Sequence, residues 1–231
     1  GPAFQAWWLM NNLEGWGGPN TDSWYEDRIA LQKKILKRMR EYGIHPVLPG
    51  YSGMLPHNAK EKLGVNVANP GKWNGYHRPA FLQPTDTRFK EIAALYYKEM
   101  NRLYGKADFY SMDPFHEGGN VAGVNLDAAG QAIWQAMKEN SRNSIWVIQA
   151  WGANPRAQMI KNIPRGDMLV LDLYSESRPQ WGDPNSAWYR KNGFDNHQWL
   201  YCMLLNYGGN VGLHGKMQHV IDEYYKAVES P

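Results

Sequence analysis

Met168-Leu169-Val170-Leu171 forms the centre of a strand that the sequence predicts at 167–173. A short, nearly continuous apolar run is typical of a strand that is covered on both of its faces. Strands of that kind belong to parallel sheets, whose faces are covered by helices. The run therefore predicts an α/β fold.

Outward from this run, short apolar stretches alternate with helical patterns along the chain. Ser23 and Glu26 form a capping box that predicts the start of one helix, Gly43 predicts its end, and Asn125 or Asp127 begins another helix. Strands are predicted at 3–8, 44–49, 107–112, 144–150, 167–173 and 198–204. This alternation indicates βαβ units.

The exits of these strands favour a barrel over an open doubly wound sheet. No predicted strand runs into a Gly-rich phosphate loop, and several end in polar and aromatic residues. A (β/α)8 barrel needs eight strands, however, and the sequence offers about five or six of them. We therefore expect a partial TIM-type barrel, with residues 1–231 forming the central part of the barrel domain.

Composition excludes several classes of function. The chain is 43% apolar and 20% charged, which suits a compact core, and its net charge of +3 is scattered, which argues against nucleic-acid binding. No apolar stretch approaches the roughly 20 residues of a membrane span.

A lone cysteine, Cys202, excludes an internal disulfide and a cysteine zinc cluster, and the histidines lack metal-ligand spacing. We expect neither a metal nor a cofactor.

Two carboxylates follow predicted strands. Glu117 comes after the strand at 107–112 and precedes two glycines, and Glu176 comes after the strand at 167–173. Glycoside hydrolysis uses two carboxyl groups on either side of the scissile bond, and acids on different barrel strands provide that geometry. The alternative is that each acid caps a loop or pairs with an arginine, as Glu176 does if it pairs with Arg178.

Tryptophans stand at predicted strand ends and in loops that contain Gly, Pro or Asn. A flat ring in such a place stacks on the apolar face of a sugar, whereas the alternative for each ring is packing at the barrel rim. Together they favour a saccharide site. These tryptophans are Trp7, Trp8, Trp73, Trp151 and Trp181.

At the same segments the sequence resembles the α-N-acetylglucosaminidases, family 89 of the glycoside hydrolases. The resemblance covers nearly the whole chain and implies a retaining exo-hydrolase that removes terminal α-linked N-acetylglucosamine from glycans. It also implies an N-terminal domain and a C-terminal helical domain that flank the barrel and are absent from these residues. The motifs that carry it occur in the family's order: Gly1-Pro2-Ala3-Phe4-Gln5-Ala6-Trp7, Pro46-Val47-Leu48-Pro49, Gly71-Lys72-Trp73, Phe115-His116-Glu117, Gln149-Ala150-Trp151, Pro164-Arg165-Gly166, Leu169-Val170-Leu171-Asp172-Leu173, Cys202-Met203-Leu204 and Asn206-Tyr207-Gly208-Gly209-Asn210.

The resemblance also implies roles for individual residues. Glu117 matches the family's general acid/base, a role that requires a raised pKa. The nucleophilic glutamate belongs to a later segment, after Pro231, and Glu176 matches a glutamate with no nucleophile role. His116 stands before the acid, where the lysosomal members have Asn. The residues that match the sugar pocket are Trp7, Trp73, Trp151 and Leu173.

Two other functions stay open at this point: a non-catalytic saccharide-binding module, and a barrel glycosidase for another sugar, since a fold does not fix a substrate.

The sequence also predicts where in the cell the protein acts. The sequence contains no Asn-x-Ser/Thr acceptor, which favours a periplasmic or secreted bacterial enzyme over a lysosomal glycoprotein.

Overall fold

A computed structural model describes residues 20–116, 118–204 and 217–230. The chain divides into two compact units, residues 1–144 and 145–231. The predicted strand at 3–8 lies outside the described residues.

The described residues of the first unit form four helices and seven short strands. Its helices are α1 (Asp22–Glu41), α2 (Ala59–Leu63), α3 (Phe89–Tyr104) and α4 (Leu126–Asn140). Its strands are β1 (Val47–Pro49), β2 (Met54–Leu55), β3 (Val67–Ala68), β4 (Lys72–Trp73), β5 (Tyr76–His77), β6 (Ala80–Leu82) and β7 (Phe109–Ser111). β1 and β7 are parallel, with Leu48 opposite Tyr110, and both of these side chains are buried. The sequence predicted both strands.

An insertion of small antiparallel sheets follows β1, and the sequence analysis did not predict it. β6 pairs with β2 and with β3, while β4 and β5 form a separate hairpin. The backbone N–H of Leu82 donates to the oxygen of Gly53 at 2.7 Å, which ties the end of the insertion to its start. The insertion therefore stands at the carboxyl end of β1, the edge where barrel proteins place their sites.

The second unit contains β8 (Ile145–Ala150), α5 (Ala157–Ile160), β9 (Met168–Asp172), β10 (Gln198–Tyr201) and α6 (Met217–Glu229). β9 lies between β8 and β10 and pairs in parallel with both. Met168, Val170 and Asp172 are fully buried, whereas the residues between them are half-buried, so one face of β9 is covered more completely than the other. The decisive apolar run is thus a central parallel strand, as predicted.

The helix ends test the predicted caps. Gly43 ends α1 as expected: its N–H donates to the oxygen of Arg40, and the N–H of Ile44 donates to that of Met39, which is a Schellman motif. Asn125 caps α4 through Ala128 at 3.1 Å. The capping box at Ser23 was wrong, because Thr21 is the cap and accepts from the N–H of Trp24.

None of the helices within the described ranges is long and apolar enough to cross a membrane. Among the same residues, no group of three or more His, Cys, Asp or Glu side chains is arranged to hold a metal ion.

Candidate functional site

The segment after β7 is tightly folded around Phe115. Phe115 has a φ of +62°, which is uncommon for a residue with a side chain. Its ring is buried, and the centre of that ring lies 4.5 Å from the centre of the Phe81 ring. A Cβ on Gly119 would lie 2.8 Å from the Cα of Phe115, so only glycine fits there. The N–H of Gly119 also donates to the oxygen of Phe115 at 3.2 Å, which joins the two residues through their backbones. Glu117 itself lies outside the described residues.

His116 is buried within the same turn. Its Nδ1 lies 3.3 Å from the backbone oxygen of Pro114, and its Nε2 lies 3.7 Å from Oδ1 of Asp113. Its own backbone oxygen accepts a hydrogen bond from Nη1 of Arg78 at 2.8 Å. Both ring nitrogens thus face groups of the turn, and the predicted contact of His116 with a sugar remains a prediction.

Arg78 is a residue that the sequence analysis missed. It is buried, and it joins the segment after β7 to the insertion after β1. A second link is the hydrogen bond from the N–H of Asn120 to the oxygen of Pro70, 2.9 Å long. Pro70 and Arg78 flank the β4–β5 hairpin, so both links hold the hairpin close to the segment that contains His116.

Trp73 ends the first strand of that hairpin and is half-buried. It pairs with Tyr76 across a two-residue turn in which Asn74 and Gly75 have φ angles of 46° and 84°. Positive φ at both positions is the mark of a type I′ turn, which strongly favours the Asn-Gly pair. The dipeptide was the signal that would have revealed this hairpin.

In the second unit, Trp151 and Leu173 stand at neighbouring strand exits. Ala150 and Asp172 are register partners at the ends of β8 and β9, so the next residue of each strand is also adjacent. The N–H of Leu173 donates to the oxygen of Ala150 at 3.1 Å, and the oxygen of Trp151 accepts from Asn154 at 3.0 Å. The structure therefore brings together two of the predicted sugar-binding residues. Trp7 and Trp8 lie outside the described residues.

Trp181 corrects one expectation. Its side chain is only 1% exposed, and its Nε1 donates to Oδ2 of Asp172 at 3.0 Å. The indole also contacts the rings of Trp199 and Tyr201. Trp181 is thus part of the core and presents no free face for a sugar.

Asp172 ends β9 with a fully buried carboxyl group. Oδ2 accepts from Ser175 Oγ at 2.8 Å and from Trp181, and it lies 3.5 Å from the N–H of Gln180. Burial raises the pKa of this carboxyl group to about 6, because it disfavours the charged form more than those hydrogen bonds favour it.

Glu176 is also buried, but it does not lie in an ion pair with Arg178. Its Oε1 accepts from the N–H of Leu204 at 3.2 Å, and the guanidinium of Arg178 lies over the ring of Trp188, 5.3 Å from its centre. Nearby, burial first and then the charges of Asp172 and Glu176 raise the pKa of the Cys202 thiol to about 11. That thiol is protonated at neutral pH and is a poor nucleophile.

Parallel strands with helices between them, and polar and aromatic residues gathered at the strand exits, define an α/β protein of the barrel type. The chain matches the alpha-N-acetylglucosaminidase (NAGLU) TIM-barrel domain over residues 1–231. It therefore belongs to the α-N-acetylglucosaminidase family and is a segment of a TIM-type barrel.

Individual relatives agree with this assignment. Human alpha-N-acetylglucosaminidase is 33% identical over 95% of this chain. A family 89 glycoside hydrolase from Clostridium perfringens, solved with 2-acetamido-1,2-dideoxynojirmycin, is 34% identical over 100% of the chain with a TM-score of 0.87. The same bacterial protein with two Glu→Gln substitutions, solved with its substrate GlcNAc-α-1,4-galactose, superposes with a TM-score of 0.86.

The chain is short compared with these proteins. It spans 31% of the human protein and 26% of the bacterial chains.

Proposed function

We propose that residues 1–231 form the central part of the catalytic domain of a retaining exo-glycoside hydrolase that removes terminal α-linked N-acetylglucosamine from glycans. The observation that carries the proposal is the match of the whole chain to one family domain. A member of that family has been solved with an α-linked N-acetylglucosaminyl disaccharide as its substrate. Trp151 and Leu173 follow neighbouring strand ends, which supports the proposal because barrel enzymes place their sites at such ends.

In this proposal Glu117 is the general acid/base. It protonates the glycosidic oxygen as the bond from that oxygen to the anomeric carbon breaks, and a carboxylate from a segment after Pro231 attacks that carbon. Water then hydrolyses the glycosyl-enzyme, with the Glu117 carboxylate accepting a proton from the water. A relative solved with its substrate while two glutamates were replaced by glutamine supports a pair of carboxylates.

The sugar-binding residues in the proposal are Trp7, Trp73, His116, Trp151 and Leu173. Trp73 and Trp151 are half-buried side chains next to strand ends. Aromatic rings in such places can stack on the apolar face of a sugar. Glycan recognition by aromatic rings at the strand exits is consistent with a scattered net charge of +3.

Two wider features belong to the same proposal. Flanking parts of the polypeptide, an N-terminal domain and a C-terminal helical domain, complete the enzyme, which agrees with relatives that are three to four times longer. The enzyme acts in the periplasm or outside a bacterial cell, which fits the absence of an Asn-x-Ser/Thr acceptor.

The test is hydrolysis of aryl α-N-acetylglucosaminides by the chain extended to its natural termini, beside Glu117→Ala. We expect the variant to lose about 1,000-fold in rate with a poor leaving group and far less with an activated one, since only the poor leaving group needs the acid. Azide should rescue the variant and give the α-glycosyl azide, because an anion needs no general base.

Two glutamate variants serve as controls. Glu139→Gln on α4, where the carboxylate pairs with Lys90 at 3.2 Å on the surface, should keep wild-type rates. Glu176→Gln keeps an acceptor for the N–H of Leu204 and should lose less than about tenfold, whereas loss of a nucleophile costs many orders of magnitude. If the extended wild type binds N-acetylglucosamine without hydrolysing the aryl glycosides, the protein is a saccharide-binding module instead.

A further inference from the structure

Residues 173–181 follow β9 and form the β9 exit loop. It begins with Leu173, contains Glu176 and ends with Trp181. Leu173 is one of the proposed sugar-binding residues, and its N–H is bonded to the end of β8. Any group that fixes this loop therefore also fixes one wall of the proposed site.

The carboxylate of Asp172 fastens the loop at both of its ends. Ser175, near the start, donates its hydroxyl to Oδ2 at 2.8 Å. Trp181, the last residue, donates Nε1 to the same oxygen at 3.0 Å, and the N–H of Gln180 lies at 3.5 Å. One oxygen atom thus brings together two parts of the chain that are six residues apart.

The neighbouring strand exit holds the same loop from its other side. The N–H of Ser175 donates to the oxygen of Cys202 at 3.2 Å, and the N–H of Cys202 donates to the oxygen of Asp172 at 3.1 Å. Glu176 accepts from the N–H of Leu204. The exits of β9 and β10 are joined by these bonds, with Asp172 at the centre of the network.

At this buried position a carboxyl group stabilises the fold less than an apolar side chain would. Asp172 is fully buried, and among the described residues its second oxygen, Oδ1, has no hydrogen-bond partner. Burying a polar atom without a partner costs free energy, which a well-packed apolar side chain avoids. An apolar side chain, however, could not accept the hydrogen bonds that Ser175 and Trp181 donate from the two ends of the loop.

We propose that Asp172 is a positioning residue, which holds the β9 exit loop, and with it Leu173, in the shape that sugar binding requires. The inference rests on the proposed function, because the loop borders a site that has been assigned to N-acetylglucosamine. Asp172 acts through the loop and touches no substrate.

The first measurement compares Asp172→Ala with wild type in the chain extended to its natural termini, using an aryl α-N-acetylglucosaminide. We expect KM to rise about tenfold or more with kcat within about threefold, the pattern of lost binding rather than lost chemistry. Asp172→Asn keeps an acceptor oxygen for Trp181 and should recover most of the loss in KM. A KM for Asp172→Ala within about twofold of wild type would overturn the proposal.

The matched control is His197→Ala. His197 is buried too, and its Nε2 is bonded to the oxygen of Ile160 at 2.9 Å, but it precedes β10 and so lies at the opposite edge of the sheet. It should lower the thermal midpoint without changing KM. An equal rise in KM for both variants would assign the effect to general loss of stability and would also overturn the proposal.

A second readout does not need activity. Amide hydrogen exchange of residues 173–181 should be faster in Asp172→Ala than in wild type, and unchanged in His197→Ala. If the wild type has no hydrolase activity, the proposed function fails, and unchanged exchange in Asp172→Ala would in that case refute the positioning role separately. If Asp172→Ala does not fold, Ser175→Ala and Trp181→Phe each remove one donor and should each raise KM and exchange to a smaller extent.

Discussion

Burial and ionisation oppose each other at Asp172, and this predicts how stability depends on pH. Its pKa is about 6 in the folded protein, above the ordinary value of 3.8, so the folded state holds the proton more tightly than the unfolded chain. The stability that this carboxyl group contributes is therefore fully present below its pKa in the unfolded chain. It is lost as the pH rises through the pKa of the group in the folded protein. Between about pH 4 and about pH 7.5 this single group should remove about 2 kcal/mol of stability.

Urea unfolding of the extended protein and of Asp172→Asn at both pH values measures this contribution. Asparagine does not ionise, so the variant should gain about 2 kcal/mol relative to wild type over that pH range. Comparing the two proteins cancels the groups that they share. The same pH dependence in both would mean that Asp172 titrates normally.

Individual residues show where sequence reasoning stops. Trp151 and Trp181 both stand in loops of similar composition, and no pattern of neighbouring residues distinguishes the two. In the structure Trp151 is half-buried at the end of β8, while the indole of Trp181 is buried against Asp172. The difference depends on a partner nine residues away whose direction only the folded chain defines. Arg78 was missed for the same reason, since its partner is the backbone of His116, 38 residues away.

At the scale of elements, the sequence predicted the strands that hydrophobic runs define. The predicted ranges contain β1, β7, β8, β9 and β10, and each range is one to three residues longer than its strand. These ranges are 44–49, 107–112, 144–150, 167–173 and 198–204. The insertion after β1 escaped, because strands of two or three residues show no periodicity. Its hairpin still had a local signal, the Asn74-Gly75 pair.

That hairpin predicts the effect of changing its glycine. Gly75 has a φ of +84°, and a Cβ added to it would lie in open space. Gly75→Ala therefore causes no clash, and its only cost is the unfavourable backbone conformation, about 1 kcal/mol. The turn should then open and move Trp73. In the extended enzyme we expect KM for an aryl α-N-acetylglucosaminide to rise severalfold.

Gly64→Ala is the matched control for this change. Gly64 ends α2 with a φ of +67° and also has open space, so the conformational cost is similar and Trp73 is not in the turn. Both variants should lose a similar amount of stability in urea, but only Gly75→Ala should change KM. Equal KM values in the two variants would remove Trp73 from the sugar site.

At the scale of the whole molecule, α6 presents an uncovered apolar face. Met217, Ile221, Tyr225 and Val228 recur at helical spacing, and each is more than 60% exposed. Contiguous apolar surface of this kind marks an interface. The longer relatives contain about two to three times as much chain again, and we expect further polypeptide of the same protein to cover this face.

Residues 1–231 alone should accordingly be poorly soluble, bind a hydrophobic dye and leave aryl α-N-acetylglucosaminides intact, because the proposal takes both the cover of α6 and the nucleophile from further polypeptide. The extended protein should lose the dye signal and gain hydrolysis. Ile221→Glu separates the two effects: it should improve the solubility of the short chain without giving it activity, and it should destabilise the extended protein, where a charge would be buried. Hydrolysis by the short chain would show that both carboxylates lie within residues 1–231, and Glu176 would return as the candidate nucleophile.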